Sequence, residues 1–569
     1  MGDLLWATGS RAISSAGRLL CGGRSICYEP RMLSKLRTLW VERVVVLMAS
    51  RWLRFWLGVL VILVGSLALR VNYANRALPY CHHIDEDTWT KRSVAMLQTS
   101  DLNPHRFTKP SLMVYLNTAG TALGLLRAGA HGEALYQPKD LAPGGYPYYS
   151  SRTAISTVRS IYAILSVLSM LLGALCVRKL ARSDGVALLT LVLMAVSGQY
   201  FFYSWKYLNV DILGVFFAMS AIAYAVLHSR LTPPLVVALV SGLLCGFTVG
   251  TKYNLFWIAV PMLIQILSAS KQWRVERSVL FLLCLVVGFI VTTPYAIFDL
   301  TTFVNDAAGE ARHYAVGHKQ RTVQAGLPMF GANLGHLAEH TSPLLLLIAL
   351  FGLTRVLIQR PLLSSILFSY PLLLLVYMSS QRTFFPRNIL IWHLVIPMAA
   401  ALGLREVFAW AKAHWVRRAP TTNPNRLGIL TACLIALPVL LTTPWSQAME
   451  PFDRQVESRN EAVDWIMTHL PAGTQLVVPT QLNMDVRALS RRYPVHTYDG
   501  ATAKLKSLKR RHAGAVVFLP FYRQKQYQLK ATEDAILATF GKRPLNLEYR
   551  TGLDEFIASG NPHFSLVRL

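Results

Sequence analysis

Three consecutive carboxylates, Asp85, Glu86 and Asp87, follow the first long apolar run of the chain, in HIDEDTWTKRSVAMLQTSDLNPHRFTKPSL (83–112). Adjacent carboxylates raise one another's pKa, and a carboxyl raised a little above ~4 stays ionised at pH 7 while gaining basicity. Asp85, with Glu86 beside it, is therefore a candidate catalytic base for the proton of an attacking hydroxyl. A solvated loop and an ion-binding entrance are the alternatives for the same residues. Cations recur on the same side of the apolar runs: Lys109 before Pro110, His313 and His318 in EARHYAVGHKQR (310–321), and Arg387 in SQRTFFPRNILIWHLVIP (380–397). Arg and Lys bind phosphate oxygens well, so their convergence suits an anionic lipid head group. Taken singly, each is equally an interfacial anchor that lays its stem along apolar surface. Asp211 in YSWKYLNVDILGVFF (203–217) and Lys252 in GFTVGTKYNLFW (246–257) stand at the mouths of apolar segments. Unpaired charge there is expensive, so a mutual ion pair that shapes the site is expected. No cofactor is certain. A divalent metal at Asp85 and Glu86 is conceivable, but two acids without further oxygen ligands support it weakly.

The elements that must hold these residues are membrane helices. The chain has 569 residues, 53% hydrophobic and only 15% charged, against about 25% charged in soluble proteins. Its net charge of +28 has a ready explanation in basic cytoplasmic loops, and no zinc-ligand spacing, phosphate-binding loop or basic-aromatic alternation points to nucleic acid. Of seven cysteines, Cys176, Cys245, Cys284 and Cys433 lie in apolar runs and Cys81 in an expected outer loop, which gives no external disulfide framework.

The expected architecture is an α-helical polytopic membrane protein of about 11 spans, with a small α/β domain after them. Spans are expected at 52–71, 155–177, 186–204, 209–228, 234–250, 253–269, 278–298, 343–359, 364–380, 389–407 and 428–444. Residues 1–51 form a basic cytoplasmic segment, with Met48 an alternative start to Met1. The Arg- and Lys-rich stretches 177–183, 270–278 and 405–426 fall on one side, which places the N-terminus in the cytoplasm and the loop 72–154 outside. Counting 111–128 as a span would break that rule, so it is expected to be a juxtamembrane helix. Residues 445–569 change texture: RNEAVDWIMTHLPAG and YQLKATEDAILATFGK read as helices, TQLVVPT and GAVVFLP as short buried strands, on the outer face.

In order, the Asp85-Glu86 pair, DLNPHRFTKPSLMVYL (101–116), TVRSIYAILSVLSMLLGALCVRKLA (157–181), LNVD, GTKYN and the RN step before a Pro-containing span resemble the family 39 membrane glycosyltransferases of GT-C architecture. Their relatives include protein O-mannosyltransferases and lipid A aminoarabinose transferases. The resemblance covers about 52–444 and implies an inverting transfer of sugar from a polyprenyl-phosphate donor to a hydroxyl acceptor on a glycolipid, polysaccharide or protein. It implies further that Asp85 is the base and Lys109 a donor-phosphate ligand, with Asp211 and Thr251-Lys252 matching the family's Asp and Thr-Lys positions. Thr88 and Thr108 depart from the lipid A relatives, which carry Arg and Glu there, and leave sugar and acceptor open. The expected setting is a bacterial inner membrane with the catalytic loop and C-terminus periplasmic. A transporter or lipid flippase using Asp85 and Asp211 as ion or proton sites is the alternative, although no inverted repeat supports it.

Overall fold

The computed structural model describes residues 50–75, 78, 80, 84–132, 151–206, 210–228, 233–268, 273–318, 321–418, 458–479, 486–498, 511, 514–521 and 563–568. Helices begin where the sequence supplies a start. The Ser151 and Ser183 side chains accept the backbone N–H of Ala154 and Val186, and Pro occupies the first turns of Pro234–Val249, Pro343–Gln359 and Pro361–Ser379, where its missing N–H does no harm.

In chain order the helices are α1 (Arg51–Asn75), α2 (Ile84–Thr99), α3 (Leu112–Ala130), α4 (Arg152–Ala181), α5 (Asp184–Ala195), α6 (Gly198–Lys206), α7 (Val210–His228) and α8 (Pro234–Val249). A 3-10 turn at Tyr253–Ile258 leads into α9 (Ala259–Ser268), followed by α10 (Arg274–Thr292), a short turn at Tyr295–Phe298, and α11 (Leu300–Val316). Then come α12 (Leu327–Glu339), α13 (Pro343–Gln359), α14 (Pro361–Ser379), a 3-10 turn at Pro386–Ile389, and α15 (Trp392–Arg418). The chain divides into two compact units at Gly58, and the first contributes only the opening of α1 to the described residues.

The chain is an integral membrane protein of helical type. Among the described residues, six helices (α1, α4, α7, α10, α14 and α15) are long and apolar enough to cross a bilayer, or up to eight if two bent pairs each count as one span. Apolar side chains half or more exposed, such as Leu60, Val61 and Val64 on α1 and Val275, Val279, Leu283 and Val286 on α10, suit lipid and would be penalised in water. The expected straight span 186–204 is instead α5 and α6, bent by 64°, with Val196 and Ser197 between them. The expected 343–359 span is α13, which α12 joins at 112°. Both α8 and the Tyr253–Ser268 segment are apolar but shorter, and the expected span 428–444 lies outside the described residues. Helix α3 is not one of the spanning candidates; it packs on α2 and α4 with Asn117, Thr118 and Thr121 buried.

Two helix pairs approach closely through glycine. A Cβ at Gly246 of α8 would collide with the α10 backbone at Leu285 and Gly288, and one at Gly352 of α13 with α15 at Ala399 and Gly403. Small residues let helix backbones touch where no hydrophobic effect drives association.

The C-terminal region has α16 (Ser458–His469), β1 (Leu476–Pro479), α17 (Val486–Ser490), β2 (Val495–Tyr498), β3 (Val516–Phe521) and β4 (His563–Arg568). The sheet order is β2-β1-β3-β4, with β1 parallel to both neighbours and β4 antiparallel to β3. Ala462, Ile466 and Leu470 of the α16 segment pack with Leu476, Val478, Val516 and Phe518 into one core. The helix and the two strands expected from RNEAVDWIMTHLPAG, TQLVVPT and GAVVFLP correspond to α16, β1 and β3. The helix expected in YQLKATEDAILATFGK lies outside the described residues.

Candidate active site

Asp85 and Glu86 open α2, and successive helical residues point about 100° apart. The Asp-Glu pair accordingly divides. Glu86 is 1% exposed and accepts the Arg159 Nε–H at 2.8 Å. Arg159, itself 0% exposed, also donates to the carbonyls of Ala74 at 2.6 Å and Tyr80 at 2.7 Å. One guanidinium from α4 thus ties together the end of α1, the segment at Tyr80 and the head of α2. Glu86 turns into this clamp while Asp85 keeps 37% exposure. The two acids do not present a shared face to a cation, and among the described residues no group of three or more His, Cys, Asp or Glu side chains could hold a metal ion.

Asp85 meets Arg387, whose Nη2 donates to Asp85 Oδ2 at 3.2 Å. The 3-10 turn at Pro386–Ile389 aims this side chain, and the Phe385 ring lies 4.6 Å from the guanidinium carbon. Arg387 Nε is also 3.5 Å from Asp211 Oδ2, an ion pair without hydrogen-bond geometry. Asp211 Oδ1 accepts from Lys252 Nζ at 2.7 Å. Lys252 donates further to Asn388 Oδ1 at 2.6 Å, which also takes the Tyr314 hydroxyl at 3.2 Å. Asp85, Arg387, Asp211, Lys252 and Asn388 therefore form one continuous network drawn from α2, α7, the turn after α8 and the turn before α15. Asp211 and Lys252 are both 5% exposed by side chain, so each neutralises a charge the interior would otherwise penalise.

Lys109 reaches the same neighbourhood through α11. It pairs with Glu310 and sits 5.6 Å from the centre of the Tyr314 ring. Burial works against its ammonium, but the electrostatic pull of Tyr314 and Glu310 outweighs it and holds the Lys109 pKa above the ordinary value. The loop before Lys109 is fastened at two more points, to α11 and to the residue that precedes it: Asp306 accepts the Phe107 N–H at 2.6 Å and Asp299 the Asn103 amide at 3.1 Å. His313 and His318 have ring centres 5.0 Å apart and lie against Phe385, at 6.3 and 5.4 Å. Phe385 is thus flanked by both imidazoles and by Arg387.

The structure brings Asp85, Arg387, Asp211 and Lys252 together, joins Lys109 to them through Tyr314, and places His313 and His318 across Phe385. It sets Glu86 apart. Sequence reasoning missed Arg159, although an arginine inside an apolar helix is a signal in its own right. It also missed Asn388, Tyr314 and Glu310 as partners, because nothing local marks a polar residue whose partner lies far along the chain.

Residues 138–303 match the family model described as dolichyl-phosphate-mannose-protein mannosyltransferase. That stretch contains Asp211 and Lys252 and ends before Arg387. Among solved structures, the chain is similar to ArnT from Cupriavidus metallidurans bound to undecaprenyl phosphate, at 12% identity and a TM-score of 0.45, covering 89% of this chain and 97% of that one. It is similar also to the Archaeoglobus fulgidus oligosaccharyltransferase tethered with an acceptor peptide, at 13% identity and a TM-score of 0.47, covering 79% of this chain and 64% of that one. No curated protein matches by sequence.

Proposed function

We propose that the chain is an inverting membrane glycosyltransferase that moves a sugar from a polyprenyl-phosphate donor to a hydroxyl acceptor on the outer face of a bacterial inner membrane. The observation that carries this reading is the pairing of a half-exposed carboxylate, Asp85, with Arg387 inside a network whose other charges are buried. The mannosyltransferase match over 138–303 supports the same class.

The chemistry runs in one displacement. The acceptor oxygen attacks the anomeric carbon, the carbon–oxygen bond to phosphate breaks, and the acceptor proton passes to an Asp85 oxygen as polyprenyl phosphate departs. A glycosidase needs a second carboxylic acid to protonate its leaving group. A phosphate leaving group needs compensation of charge instead, which Arg387 and Lys109 supply. A phosphate oxygen taking an N–H of Arg387 competes with Asp85 for it, so donor binding would hand the carboxylate to the acceptor. Asp211 and Lys252 hold Arg387 and Asn388 in place without meeting the substrate, Glu86 positions α2, and His313 and His318 line the phosphate side through Phe385. The acceptor is a glycolipid, polysaccharide or protein.

Supplying radiolabelled polyprenyl-phosphate sugars to the purified chain in lipid tests the reading. Wild-type protein should release polyprenyl phosphate and label an acceptor. Donor carried across the membrane intact would make the chain a transporter instead.

A further inference from the structure

Four buried side-chain nitrogens near this network have no hydrogen-bond partner among the described residues: Asn333 Nδ2, His336 Nε2, Asn388 Nδ2 and His393 Nε2. Their residues are 3%, 8%, 5% and 2% exposed. Folded interiors leave few such groups, because each gives up water without a replacement. They lie on elements that pack together. Asn333 and His336 stand about one turn apart on the buried face of α12, and α12 packs against the Pro386–Ile389 turn that carries Asn388. The His336 ring centre is 5.7 Å from that of His393, in the first turn of α15, and His340 adds a third imidazole 4.4 Å from His336. Asn388 has a fixed sense: its carbonyl oxygen takes Lys252 and Tyr314, so its amide nitrogen forms the other edge.

The character of the cluster selects its ligand. Three imidazoles this close cannot all carry charge, and burial holds His340 below its ordinary range despite Glu339 alongside. A neutral imidazole offers one N–H and one lone pair, and an amide nitrogen donates. An anion would be drawn to the cations instead, and Lys252 sits on the other edge of Asn388. Hydroxyl groups both donate and accept, which is what this set can satisfy.

Building on the glycosyl-transfer reading, we infer that Asn333, His336, Asn388 and His393 grip the hydroxyls of the donor's neutral sugar, beside the cations that take its phosphate. Asn388 is the hinge between the two halves: one edge of its amide belongs to the charged network and the other to the sugar. Sugar specificity is then set on α12 and the first turn of α15, and the Asp85 segment is left to face the acceptor.

The test compares two probes on the full chain in lipid nanodiscs: undecaprenyl phosphate, and a panel of undecaprenyl-phosphate-linked neutral hexoses and pentoses. The preferred sugar-linked lipid should bind the wild type more tightly than the bare lipid phosphate. Asn333→Leu and His336→Phe, which replace a polar group by an apolar one of similar shape, should weaken that lipid about tenfold or more. They should leave the undecaprenyl phosphate Kd unchanged and the Tm equal or higher, and His336→Gln should recover part of the loss. An unchanged ratio between the two lipids overturns the sugar subsite, as does equal weakening of both. A wild type that binds undecaprenyl phosphate but gains nothing from any sugar overturns it too, and one that binds neither lipid removes the glycosyl-transfer reading along with it.

Discussion

A carboxylate acts as a base only where a substrate proton can reach it, and in the Asp85-Glu86 pair that condition separates 37% exposure from 1%. Asp85→Asn keeps the shape and removes the basicity, so kcat should fall about 10²- to 10⁴-fold with membrane insertion intact, read as polyprenyl phosphate released per minute. Glu86→Gln keeps an oxygen for the Arg159 Nε–H and should cost far less. A glutamine variant that lost transfer while the asparagine one kept it would exchange the assignment of the two acids. At the buried pair, Lys252→Met strips one of the two cations from Asp211 and should destabilise the chain by about 3–5 kcal/mol. Adding Asp211→Asn to it should recover part of the lost Tm, and a double variant less stable than the single one would refute mutual compensation. The sequence made Asp85, Asp211 and Lys252 conspicuous because charge beside apolar runs is itself a signal. It could not distinguish Glu86 from Asp85, since only the fold brings Arg159 to one of them and Arg387 to the other.

Between elements, the Arg159 clamp decides how α2 presents Asp85. Arg159→Met would bury Glu86 without its cation and release the Ala74 and Tyr80 carbonyls, so the orientation of α2 should loosen. We expect kcat to drop while the Kd for undecaprenyl phosphate holds, with partial rescue by Arg159→Lys. A Kd that moved with kcat would place the residue in donor binding. Glycine contacts act elsewhere: Gly352→Leu would drive α13 off α15 at Ala399 and Gly403, and the Tm in detergent should fall. Most helices were legible as long apolar runs. The bend between α5 and α6 was not, because hydropathy averages over a break of two residues. Strand β2 was missed because its middle residues, His496 and Thr497, are exposed and its ends only half-buried, which leaves no alternation to read.

On the scale of the whole chain, the side of the membrane that carries the C-terminal domain can be argued without counting spans. Asn460 of α16 donates to the Leu78 carbonyl at 3.1 Å, and the Arg459 guanidinium lies 3.7 Å from the centre of the Tyr80 ring. Tyr80 is bound in turn to Arg159, and through it to Glu86 at the head of α2. The domain and Asp85 therefore share one end of the helix bundle, whatever the path of the residues between α15 and α16. Charge predicts which end faces outward: Arg178, Lys179 and Arg182 crowd the far end of α4, and the excess of Arg and Lys in cytoplasmic loops makes that end the expected cytoplasmic one. In a cysteine-free background, Asp101→Cys and Ala472→Cys should react with a membrane-impermeant maleimide on intact spheroplasts, whereas Lys179→Cys should react only after permeabilisation. Opposite labelling of Asp101→Cys and Ala472→Cys would break the link through Tyr80. Labelling of Lys179→Cys alone would keep that link and invert the chain, moving the proposed transfer to the cytoplasmic face and requiring a donor presented there.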